Sequence, residues 1–132
     1  MRTESTYSYS KIVSHSYEAA LSRVAEELKK EGFGVLTEID VKETLKKKLG
    51  VEFRKYRILG ACNPPLAHKA LTQEMELGLF LPCNVIVFEN DAGRTVVSAV
   101  NPIVSLSRIG NPALESTARE VGEKLQRVIA AV

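Results

Sequence analysis

From Thr6 to Val13 the chain sets Tyr7, Tyr9 and Lys11 against Ser8, Ser10 and Ile12, the alternation of a half-exposed strand. Between Tyr17 and Glu31 the pattern changes. Tyr17, Ala20, Leu21, Val24 and Leu28 fall on one helical face and charges on the other, and Gly32 stops the helix. Phe33 to Ile39 reads as a second strand. Asp40-Val41-Lys42-Glu43 then supplies an acceptor at a helix cap and a glutamate three residues on. The short helix it opens carries Val41, Leu45 and Leu49 on one stripe and ends at Gly50. A third strand runs from Phe53 to Ala61. Asn63 suits the cap of the next helix and Pro64-Pro65 its first turn, where missing N–H groups cost nothing. That helix is expected to reach about Leu77 and stop at Gly78. Cys83 to Glu89 and Arg94 to Val100 are strands joined by Asn90-Asp91-Ala92-Gly93, the clearest hairpin signal in the chain. Asn111-Pro112 opens a last helix with the stripe Leu114, Ala118, Val121, Leu125, Val128 and Ile129.

The order is therefore β-α-β-α-β-α-β-β-α, an α+β chain expected to form one compact domain over residues 1–132. Interleaved helices and one antiparallel hairpin predict a mixed β-sheet with helices packed on it. Both faces of the hairpin are apolar, with Val85 and Val87 on one and Ile86 and Phe88 on the other. A sheet with one wet face would alternate. Either helices cover both faces, or a second subunit covers one, so a symmetric homodimer is the expected assembly.

Composition narrows the class. A chain of 132 residues, 45% hydrophobic and 26% charged, is an ordinary soluble domain able to bury a core without staples. Its net charge of +2 gives no case for nucleic acid or an anionic membrane as partner. Lys46-Lys47-Lys48 reads as the solvated face of a short helix. Met1-Arg2-Thr3-Glu4-Ser5 leads into a polar run without an apolar signal core, and no stretch approaches the roughly 20 residues that span a bilayer. Two cysteines without a secretory start point to a reducing compartment, hence a cytoplasmic location.

Three segments carry a resemblance. Gly32-Phe33-Gly34-Val35-Leu36-Thr37-Glu38-Ile39-Asp40, Tyr56-Arg57-Ile58-Leu59-Gly60-Ala61-Cys62-Asn63-Pro64 with Ala67-His68, and Leu81-Pro82-Cys83-Asn84-Val85-Ile86-Val87 together resemble the bacterial and archaeal family called domain of unknown function 302. The likeness covers nearly the whole chain, with matches at Cys62, Pro64, His68, Pro82 and Cys83. It implies a small α+β domain that assembles as a homodimer. The family has no accepted catalytic residues, so none transfers to this chain, and no cofactor is implied.

The candidate chemistry centres on the two thiols. Cys62 precedes a helix N-terminus, where free N–H groups and the helix dipole favour an anion and lower a thiol pKa. The plainer alternative is a small buried cysteine closing a strand. If the chain crosses over to a parallel strand after Cys62, then Cys62 ends one strand and Cys83 starts another, and seven-residue strands separate those two ends by about 23 Å. A disulfide needs Cα atoms within about 7 Å. Pairing then requires a helix that leaves sideways or a meeting across a dimer interface. Cys62, His68 and Cys83 form the alternative metal or redox set, although His68, beside Lys69 and Thr72, falls on the polar side of its helix.

Register counting places Asn101 opposite Pro82, so Cys62, Asn63, Cys83, Asn84 and Asn101 make a candidate small-ligand site at the sheet end. The three Asn-Pro pairs, at Asn63, Asn101 and Asn111, are also explained by capping. Arg54, Lys55 and Arg57 interleave with Phe53 and Tyr56 as in sheets that stack nucleic-acid bases, but no RNA-binding signature accompanies them. The chain shows no phosphate-cradling loop, no Ser-His-Asp spacing and no paired-carboxylate motif. The expected function is a non-enzymatic, homodimeric domain that binds a small ligand.

Overall fold

The computed structural model describes residues 2–4 and 6–132. Met1 and Ser5, both within the segment read for a signal sequence, lie outside the described residues. The elements are β1 (Arg2–Glu4), β2 (Ser8–Val13), α1 (Tyr17–Lys30), β3 (Gly34–Asp40), α2 (Val41–Leu49), β4 (Tyr56–Cys62), α3 (Pro64–Gln73), β5 (Cys83–Glu89), β6 (Thr95–Val100), α4 (Pro102–Ser107) and α5 (Glu115–Ala131). Short 3₁₀ turns cover Met75–Phe80 and Pro112–Leu114. The α+β class and the order of the main elements are as expected. Strand β1 and helix α4 are additions, and α3 ends at Gln73 rather than near Leu77.

The six strands form one sheet in the order β1-β2-β6-β5-β4-β3. Every neighbouring pair is antiparallel, which corrects the mixed sheet. The difference arises after β4. Helix α3 and the 3₁₀ turn at Met75–Phe80 bring the chain back to the end of the sheet it left, so β5 runs down beside β4 with Ala61 opposite Cys83.

Local chemistry sets the element ends. Asp40 accepts the Glu43 N–H at 3.0 Å, the cap read from its spacing. That bond, helped by Arg57, holds the Asp40 carboxyl below its usual pKa. In the hairpin, Asn90 Oδ1 accepts N–H bonds from Ala92 at 3.0 Å and Arg94 at 2.9 Å. Gly93 adopts φ 75°, a conformation that favours glycine. Arg94 thus belongs to the loop, Glu89 faces Thr95, and each pair is one residue away from the expected register.

Helices α1 and α5 pack on the sheet face that presents Val85, Val87, Val97 and Ala99. Val24 and Leu28 of α1 and Leu125 and Ile129 of α5 are fully enclosed there. Each such side chain contributes about 1.5–3 kcal/mol of apolar burial. On the other face Ile86 and Phe88 are half-buried. The expectation of equal cover on both hairpin faces therefore holds within this chain for one face only.

Candidate functional site

The sheet end where β4 stops and β5 starts carries the site. Asn63 caps α3 by accepting the Leu66 N–H at 3.4 Å, and its amide donates to the Glu31 carbonyl at 3.2 Å, which ties α3 to the end of α1. Beyond α3, the buried Leu77 packs with Ala70 and Leu114 in a small second core. A cis peptide at Leu81-Pro82 leads into Cys83. Between this returning segment and α5 lies an apolar cavity of about 340 Å³, walled by Phe33, Leu66, Leu77, Leu106 and Val121, with Cys62, Cys83 and Thr117 also on its surface.

Thr117 is 2% exposed, and its Oγ1 has no hydrogen-bond partner among the described residues. A buried hydroxyl left unpaired costs about 1–3 kcal/mol. Nothing in the sequence flags it, because a threonine within the apolar stripe of α5 looks like an ordinary helix residue.

The antiparallel return brings the thiols together, against the separation of about 23 Å argued from a parallel crossover. Cys83 faces Ala61, so Cys62 is one residue off register from it. Strand spacings then put their Cα atoms about 6 Å apart. Both cysteines are free. Burial, and secondarily Cys62, pushes the Cys83 thiol up to about 11. At neutral pH Cys83 is thus a protonated wall residue, a poor nucleophile and a poor ligand. His68 is exposed on α3 and does not line the cavity. Among the described residues no group of three or more His, Cys, Asp or Glu could hold a metal ion, so one chain does not assemble the Cys62, His68 and Cys83 set.

A model of the family described as "Domain of unknown function DUF302" matches residues 9–132. The chain belongs to the DUF302 family. A crystal structure of an uncharacterised conserved DUF302 protein from Bacillus stearothermophilus superposes with a TM-score of 0.90 at 31% identity, covering 96% of this chain and 98% of that one. No curated protein matches.

In this DUF302 chain the remaining candidates separate. Cys62, Asn63 and Cys83 share the cavity wall. Asn84 is exposed on the opposite sheet face, in a groove with Tyr56, Ile86 and Phe88. Asn101 caps α4, accepting the Ile103 N–H at 3.1 Å. Asn111 accepts the Ala113 N–H at 3.0 Å, so all three Asn-Pro pairs do cap helical turns. The basic-aromatic cluster is neutralised: Arg54 pairs with Asp91, Lys55 with Glu18, and Arg57 with both Glu38 and Asp40. Cations already held by carboxylates are poorly placed to neutralise phosphates. Among the described residues no helix is long and apolar enough to cross a membrane.

Proposed function

We propose that this chain is a binding domain whose sheet-end cavity takes a small, largely apolar molecule, or the apolar part of one, bearing a hydrogen-bonding group. The observation that carries this is the unpartnered Thr117 hydroxyl on the wall of an otherwise apolar cavity. A volume of about 340 Å³ lies within the range of small-molecule sites. No charged side chain lines it, and the Asn63 amide is already engaged, which leaves Thr117 to orient the occupant. The two unbonded thiols suit a reducing compartment, which supports a cytoplasmic place of work.

The test uses 1-octanol with the natural chain and with Thr117→Val, which keeps the shape and deletes the hydroxyl. Octanol should raise the natural chain's unfolding midpoint by mass action. The variant should be as stable as the natural chain or about 1 kcal/mol more stable, since an orphan polar group is gone. It should bind octanol several-fold more weakly. No midpoint shift at saturating octanol removes the proposal.

A second reading concerns assembly. The open sheet face carries Tyr56 stacked on Phe88, with ring centroids 5.3 Å apart, beside the half-buried Ile86. Tyr7, 68% exposed, stands at the edge of the same groove. Apolar surface of this kind favours self-association, and a homodimer through this face is the assembly we propose. Sedimentation equilibrium should return a dimer for the natural chain and a monomer for Ile86→Glu. A natural chain that is monomeric at micromolar concentration sinks this reading.

A further inference from the structure

The apolar cavity shares lining residues with a second cavity of about 330 Å³ between α4 and the start of α5. Leu106 of α4 and Ala118 of α5 line both. Three consecutive residues of α5 divide between the two spaces. Thr117 belongs to the first, Ala118 to both and Arg119 to the second. Successive helix positions turn by about 100°, so one helix turn presents a hydroxyl to one cavity and a guanidinium to the next. The half-buried Leu106 and the buried Ala118 line both spaces, beside the packed Leu77 and Leu114, which line one each.

The second cavity is more polar than the first. Its lining includes Ser107, Asn111, Glu115 and Arg119. Two of these are committed within the fold. Ser107 donates to the Val104 carbonyl at 2.7 Å, and the Asn111 amide donates to the Gln73 carbonyl at 3.2 Å and to Glu74 at 3.1 Å. Arg119 forms no ion pair among the described residues, although Glu115 lies one turn before it. By contrast Arg54, Arg57 and Arg127 each hold a carboxylate.

Building on the proposed apolar site, we infer that the two cavities form one bipartite site for a medium-chain carboxylic acid carrying a second oxygen a few carbons along its chain. The carboxylate meets Arg119, the chain passes Leu106 above Ala118, the second oxygen satisfies Thr117, and the apolar tail fills the first cavity. Glu115 disfavours a dianionic head and thereby selects a single negative charge.

The experiment compares 1-octanol, decanoate and 3-hydroxydecanoate by calorimetric titration against the natural chain, Arg119→Gln and Thr117→Val. Arg119 is exposed, so its replacement leaves the fold intact. The expected pattern is crossed. Arg119→Gln weakens both acids by roughly three- to tenfold, the range of one exposed to partly desolvated charge contact, and leaves octanol unchanged. Thr117→Val weakens octanol and 3-hydroxydecanoate and leaves decanoate unchanged. If octanol binds and responds to Thr117→Val while the acids bind no tighter than octanol or ignore Arg119→Gln, the bipartite site is wrong and the apolar site stands. If none of the three binds, both are wrong.

Discussion

Alanine at position 77 is expected to lower the unfolding free energy by about 2–4 kcal/mol and the midpoint by roughly 10 °C. Leu77 is fully buried, and it joins Ala70 of α3 to Leu114 ahead of α5 while forming part of the cavity wall. Deleting its branched end removes transfer energy and leaves a void that a short 3₁₀ turn has little freedom to fill. Leu79 is the matched control, two residues away in the same turn but 81% exposed. Leu79→Ala should change stability by no more than about 0.5 kcal/mol. Urea unfolding of both variants checks the pair. Equal effects would mean that Leu77 does not anchor the turn that brings β5 back beside β4.

Gly60→Ala is expected to cost about 1–3 kcal/mol, a fall of roughly 5–10 °C in midpoint, for the opposite reason. Gly60 sits in β4 between Thr37 of β3 and Asn84 of β5. A Cβ there would lie 2.6 Å from the Pro82 ring and would overlap Thr37 Oγ1. The Thr37 Cβ, 3.5 Å from the added atom, is at an ordinary contact distance, so its hydroxyl and the Pro82 ring are what must give way. Adding Thr37→Ala should recover part of the loss, with the Pro82 contact accounting for the rest. A single variant that melts with the natural chain would show that β3 and the start of β5 do not close on Gly60 as described.

Legibility in the sequence followed the range of the interactions. Helix ends rest on contacts three or four residues apart, so Asp40, Asn63 and the Asn90–Gly93 loop could all be read from the chain. The direction of β5 could not. After Cys62 the alternatives were a crossover and a return, and the choice rests on Leu77 reaching Leu114, a contact across 37 positions that no local pattern encodes. Two misplacements at the site follow from that single choice, the separated thiols and the parallel pairing, whereas Asn84 falls on the other face by simple strand alternation. Helix α4 escaped notice because Ile103-Val104 continues the apolar run of β6, although Asn101-Pro102 repeats the signal that opens α3. Cys62, Asn63 and Cys83 were found from their setting beside breakers, whereas the Thr117 hydroxyl was invisible because its lack of a partner is a property of the packed molecule.

The antiparallel return also bears on which part of the fold can open without the rest unfolding. The segment from Asn63 to Pro82 leaves the sheet beside the point where it rejoins, since Ala61 and Cys83 are directly opposed. Its two ends are therefore pinned together while its middle rests on one side of α5. Lifting it breaks the small cluster around Leu77 but separates no pair of strands. Opening of this segment is therefore expected as a sub-global event, with amides of α3 exchanging faster than those of β4 and β5.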